Sequence, residues 1–99
     1  MEIVRRGAAG TMESSDIQVH LEPAPEGGIT VHLKSAVEKQ YGDHIRQLIR
    51  ETLSGLGITG AVVRAVDKGA LDCTIRARVK TAAERALASE AEPGGGLLS

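Results

Sequence analysis

Apolar and polar residues alternate strictly from Asp16 onward, with Ile17, Val19 and Leu21 on one side and Asp16, Gln18, His20 and Glu22 on the other. After Pro23-Ala24-Pro25-Glu26-Gly27-Gly28 the alternation resumes, setting Ile29, Val31 and Leu33 against Thr30, His32 and Lys34. Two period-2 runs around a segment that joins φ-fixing prolines to permissive glycines predict a β-hairpin with one wet face. The period then changes. Ser35 and Glu38 have the spacing of a capping box, and Val37, Tyr41, Ile45, Leu48, Ile49, Thr52, Leu53 and Leu56 recur every three or four residues. This predicts a helix over 36–53 with a single apolar stripe, stopped by Gly55 and Gly57.

Residues 60–66 are small and β-branched and predict a third strand, followed by a turn at Asp67-Lys68-Gly69. Leu71, Cys73, Ile75, Ala77 and Val79 then alternate with Asp72, Thr74, Arg76, Arg78 and Lys80, which predicts a fourth and longest strand. Good helix formers at 82–88 predict a short final helix, and Pro93-Gly94-Gly95-Gly96 a flexible tail. The order β-β-α-β-β-α, with one apolar face per strand, implies an α+β fold. The expected architecture is a four-stranded antiparallel sheet, with one long helix and a short C-terminal helix on one face. Residues 1–15 are then a mobile lead-in, 16–88 a single domain and 89–99 a flexible tail.

At 99 residues without Phe or Trp, and with one Tyr, the chain must build its core from Ile, Val, Leu and Ala. Association with larger partners would help to stabilise so small a core. A formal charge of −1 argues against a nucleic-acid binder driven by phosphate neutralisation. The lone Cys73 has no internal disulfide partner, and its apolar position in an alternating run predicts a small buried hydrophobe. Met1-Glu2-Ile3-Val4-Arg5-Arg6 lacks the long apolar stretch of a secretory signal, and no apolar run approaches membrane-spanning length. A soluble, cytoplasmic protein is expected.

Few residues suggest chemistry. His20 and His32 are predicted on the polar face of neighbouring strands, but no third ligand accompanies them, and His44 matches no zinc spacing. Arg76 and Arg78 share one side of the predicted fourth strand without stacking aromatics, which favours surface charges that meet a protein partner over phosphate contacts. Lys68 at a hairpin tip is similar to the modified lysine of lipoyl and biotinyl domains. Those domains are all-β, however, and the 36–53 helix contradicts that architecture. Ser14 and Ser15 follow a run of small residues and precede the first strand. No histidine lies closer in sequence than His20, and a serine without a base is a poor nucleophile. Ser14 is therefore either part of an ordinary Ser-Ser-Asp turn or a residue that another protein modifies.

Three blocks bear on that choice: Gly10-Thr11-Met12-Glu13-Ser14-Ser15-Asp16, then Ser35-Ala36-Val37-Glu38-Lys39-Gln40-Tyr41-Gly42-Asp43, then Asp67-Lys68-Gly69-Ala70-Leu71-Asp72-Cys73-Thr74-Ile75-Arg76-Ala77-Arg78. In this order they resemble the citrate lyase acyl carrier protein family, the small gamma subunit, over residues 1–88. The family usually has leucine where Met12 stands, a conservative apolar change.

The resemblance implies that Ser14 carries a 2′-(5″-phosphoribosyl)-3′-dephospho-CoA group through a phosphodiester, making it the anchor of a long arm that ends in a thiol. The arm would hold acetyl and citryl thioesters while citrate is cleaved to oxaloacetate and acetate. The chain would be a non-catalytic carrier, contributing effective concentration rather than acid–base groups. Implied partners are the alpha (acyl transferase) and beta (citryl lyase) subunits, a prosthetic-group transferase and an acetylating ligase, with no nucleic acid and no membrane. Glu13 and Asp16 would act as recognition charges, or Asp16 would pair across the hairpin with Lys34. Ser15 is the rival anchor, and only the family register separates the two serines. A malonate decarboxylase acyl carrier protein is the near alternative, and an unmodified protein-interaction domain the more distant one.

Overall fold

The computed structural model describes residues 3–87 of the chain. Four strands and two helices follow one another as β1 (Gly7–Ala9), β2 (Ile17–Glu22), β3 (Gly28–Ser35), α1 (Glu38–Gly55), β4 (Gly60–Asp67) and α2 (Asp72–Leu87). The strands form one sheet in the order β1-β2-β4-β3. β2 runs antiparallel to β1 and β4, whereas β3 runs parallel to β4. The class is α+β as expected, but the sheet is mixed rather than antiparallel.

The expected β2–β3 hairpin does not form, because β4 lies between the two strands. Alternation specifies which face a residue buries and not which strand lies beside it. A Gly27 N–H to Ala24 carbonyl bond of 2.9 Å closes the turn after β2, and Gly28 N–H donates to the Thr59 carbonyl at 3.0 Å. The turn thus passes over the start of β4. There Gly60 lies so near the Gly27 backbone that a Cβ would come within 3.3 Å of the Gly27 Cα. The parallel β3–β4 pair needs a crossover, and α1 supplies it.

α1 begins differently from a capping-box helix but ends at the expected glycine stop. Its N-cap is Val37, with no side-chain cap. Ser35 closes β3 instead; its hydroxyl accepts the Val37 N–H at 3.1 Å and donates to Asp67 Oδ2 at 2.9 Å. At the other end Gly57 adopts φ +81°. Its N–H donates to Ser54, and that of Ile58 to Leu53, which is a Schellman stop that buries Ile58 and Leu53 together. Ile45, Leu48, Ile49 and Leu53 of the stripe are buried, but Tyr41, expected with them, is 53% exposed at the first turn of the helix.

The largest departure is α2, whose first half the alternating pattern assigns to a strand. Ile75 and Val79 stand four apart, a spacing that satisfies period 2 and period 3.6 alike. Ala82, Ala83 and Ala86 continue the helical series and are buried, while Leu71, Cys73 and Ala77 are exposed. Cys73 is therefore a surface thiol and not a core hydrophobe. The sheet still has four strands because Gly7–Ala9, in the segment assigned to the lead-in, pairs with Val19, His20 and Leu21. Ile3 is also buried in the core. The predicted 89–99 tail lies outside the described residues.

Both helices cover one face of the sheet, α1 against β3 and α2 against β1 and β2. The core between them is aliphatic, as composition requires, and draws on Ile17, Val19, Leu21, Val63 and Ala65 from the sheet. The alanines of α2 permit a very close approach. A Cβ added to Gly7 would run into the Ala82 carbonyl oxygen and lie 2.6 Å from the Ala86 nitrogen.

Candidate functional site

The loop between β1 and β2 holds both candidate serines, and it is built by Asp16. Gly10 opens it at φ +92°, and a side chain there would strike the Ile17 carbonyl. The Asp16 N–H donates to the Glu13 carbonyl at 3.1 Å, closing a β-turn with Ser14 and Ser15 at its two corners. Ser15 has φ +65°, the left-handed second corner that a type II turn requires. Its N–H donates to the Lys68 carbonyl at 2.8 Å, and Lys68 N–H donates to the Asp16 carbonyl at 2.8 Å. These two bonds extend the β2–β4 ladder beyond its last pair, Ile17 and Asp67.

Ser14 occupies the first corner. It is exposed, and it makes no hydrogen bond to any described residue. No histidine is hydrogen-bonded to it, and His44 is bonded to Asp72 at 3.0 Å. Both serines are exposed with no described hydroxyl partner, and they differ in the backbone: the Ser15 amide is bonded to Lys68 and held at φ +65°, whereas the Ser14 amide meets no described acceptor.

Asp16, 8% exposed, is one of two buried charged side chains among the described residues; Asp67 is the other. Arg78 of α2 grips its carboxylate with two bonds, Nε to Oδ1 at 2.9 Å and Nη2 to Oδ2 at 3.1 Å. Oδ2 also accepts from the Thr11 hydroxyl at 2.7 Å and the Thr11 N–H at 3.1 Å, and Oδ1 from the Ile17 N–H at 2.7 Å. The Arg78 fork, then the Thr11 hydroxyl and the Ile17 N–H, hold the Asp16 carboxyl far below the usual carboxylate range against the opposing effect of burial. Thr11 Oγ1 in turn accepts the Glu13 N–H at 3.1 Å. One ionised side chain thereby connects the start of the loop, its turn, β2 and α2.

Asp16 is therefore not paired across a hairpin with Lys34, because β4 stands between β2 and β3. Arg78 is the residue that sequence reasoning misplaced, as a surface charge on a strand. Helical spacing from Ile75 and Val79 would have set it beside the buried face. His20 and His32 are not on neighbouring strands; both stand in register with Arg64 of β4, one on each side of it. Among the described residues no three of His, Cys, Asp and Glu gather as metal ligands, and no helix is long and apolar enough to cross a membrane.

Comparison with known proteins decides what kind of molecule presents this loop. The ACP family profile described as "Malonate decarboxylase delta subunit (MdcD)" matches residues 4–86. Citrate lyase acyl carrier proteins of Streptococcus uberis and Streptococcus mutans are 56% and 57% identical to this chain over 86 residues. Those alignments cover 87% of this chain and 84% of each relative. The chain belongs to the citrate lyase acyl carrier protein family. Members of this family are acyl carriers, so the role of the chain is carriage and not catalysis. Such a carrier works through a prosthetic arm. The fold has a counterpart in a chain of the crystal structure of a Pseudomonas malonate decarboxylase hetero-tetramer in complex with malonate. The TM-score is 0.68 at 19% identity, covering 85% of this chain and 86% of that one, a likeness of fold alone.

Proposed function

We propose that this protein is the acyl carrier subunit of a cytoplasmic citrate lyase, with its phosphoribosyl-dephospho-CoA arm attached to Ser14 through a phosphodiester. The observation that carries the reading is the inequality of the two serines. Both hydroxyls are exposed and free of described partners, but the Ser15 backbone is bonded to Lys68 and held at φ +65°, whereas the Ser14 backbone at the first corner meets no described partner. Identity of 55% or more to citrate lyase carriers favours citrate as the substrate of the complex over malonate.

When bound, the arm supplies a mobile thiol for acyl groups, which the described residues do not otherwise offer: Cys73 is exposed but fixed on the rigid α2. The chain's own contribution is to anchor the arm and hold its base. Gly10 and the Asp16 network set the direction of the turn, and the sheet–helix core fixes the loop relative to the surfaces that partners meet. The partners proposed are the alpha and beta subunits, which perform acyl exchange and citryl cleavage, together with the transferase that attaches the arm and the ligase that acetylates it.

The intact mass of the protein from its native host tests the reading. It should exceed the chain mass by one phosphoribosyl-dephospho-CoA unit; Ser14→Ala should lose the increment and Ser15→Ala keep it. Citrate cleavage should require this chain in modified form together with both large subunits. Modification retained in Ser14→Ala would move the anchor, and turnover of malonate instead of citrate would favour the malonate decarboxylase alternative.

A further inference from the structure

We infer that Asp16 and Arg78 are positioning residues for the attachment of the arm: their paired side chains hold loop 10–16 in the one arrangement that presents the Ser14 hydroxyl to the modifying enzyme. This rests on Ser14 being the attachment residue. Beyond the backbone bonds that join Ser15 and Asp16 to Lys68 and Asp16 to Glu13, the loop has little else to define it. Thr11, Met12, Glu13, Ser14 and Ser15 are all exposed, so no apolar side chain of this stretch is buried to fix its path. What fixes it is polar. Two bonds from Thr11, one from Ile17 and two from Arg78 converge on the Asp16 carboxylate, and Arg78 lies 62 residues away on α2. The turn also keeps a non-glycine residue, Ser15, at positive φ. That conformation is costly and persists only where the surroundings impose it.

Attachment forms an O–P bond at Ser14 Oγ while a phosphoanhydride bond of the activated donor breaks. The hydroxyl proton passes to a base of the transferase, and the leaving phosphate group departs with the bonding electrons. Such a displacement requires the oxygen in line with the breaking bond, and a displacement of ~1 Å can cost on the order of a hundredfold in rate. The transferase therefore recognises a folded turn whose base is set by Asp16, and not a linear serine motif. Loosening that base lowers the fraction of carrier in the competent arrangement. By the arithmetic of conformational selection the KM for the carrier then rises as that fraction falls, while kcat at saturation holds.

The test uses the full chain, the prosthetic-group transferase and its activated donor, with product followed by intact mass. Circular dichroism and a melting curve establish that each variant is folded at the assay temperature. Asp16→Asn and Arg78→Met should raise the KM for the carrier roughly tenfold, the factor expected if about one molecule in ten is competent. Arg78→Lys should recover part of the loss. The amide resonances of Thr11 and Ser15 should shift in Asp16→Asn while those of β3 stay in place. Ile49→Val, a trim of the α1 core, should leave KM unchanged, which separates positioning from general destabilisation. Folded Asp16→Asn and Arg78→Met variants with wild-type KM and kcat would overturn the inference. Continued modification of Ser14→Ala would instead overturn the assignment of the anchor, an outcome read from a different variant.

Discussion

Ser15 donates its backbone N–H to the carbonyl of Lys68 at 2.8 Å, joining the corner of the serine turn to the end of the central strand β4. The contact crosses from the β1–β2 loop to the β4–α2 connection, two segments distant in sequence that meet only because β2 and β4 are neighbours. It makes one end of the sheet a base for Ser14. The same end holds both buried carboxylates, Asp16 and Asp67.

Amide exchange should reflect that base residue by residue. Ser15 and Lys68, each bonded to a carbonyl of the opposing segment, should exchange slowly in the free protein. Met12 and Ser14, whose amides meet no described acceptor, should exchange fast. Exchange by mass spectrometry or NMR checks this, and uniformly fast exchange across 7–15 would show that the loop is not held as a unit.

Acid should weaken the loop through Asp16. Its pKa is depressed in the folded protein, chiefly by Arg78, so its stabilising contribution is complete above the unfolded value of about 3.9 and is lost as pH falls toward the folded value. Asp16→Asn should therefore cost stability at pH 7, by roughly 1.5–3 kcal/mol for hydrogen bonds to a charged group. Partial exposure of the Arg78 side chain, 41%, favours the lower end of that range. Urea titrations at several pH values should show the variant and the wild type converging below pH ~4.

Gly7→Ala should separate β1 from α2. The added methyl would meet the Ala82 carbonyl oxygen and the Ala86 nitrogen, both helix backbone and unable to swing aside. Overpacking of this kind costs about 1–3 kcal/mol. A lowered melting temperature, with exchange accelerated at Ala8 and Ala9, is the expected result, and an unchanged melting curve would contradict the close approach.

Cys73 should behave as a surface thiol. It is exposed on α2, so the native protein should react with a thiol reagent such as DTNB within minutes and with one equivalent. Reaction only after denaturation would return Cys73 to the core position that the alternating pattern suggests.

Local patterning by itself determined which residues of β2 and β3 face the core, most of the α1 stripe though not Tyr41, the stop of α1 at Gly57, and that the core is aliphatic. Each of these depends on neighbours within a few positions, and Ile17, Val19, Leu21, Ile45, Ile49 and Leu53 are buried accordingly. The resemblance carried by the Gly10-Thr11-Met12-Glu13-Ser14-Ser15-Asp16 block likewise named the carrier family before any contact was known. Only the tertiary structure decided strand neighbours and the identity of α2. A hydrophobic alternation is satisfied by any partner strand, and an Ile75–Val79 pair by either period, so the choice falls to packing: β4 fills the gap between β2 and β3, and Ala82, Ala83 and Ala86 let a helix lie against Gly7. The Asp16–Arg78 pair was hidden for the same reason. Its partners are 62 residues apart, and they meet only after the chain has folded around β4 and turned into α2.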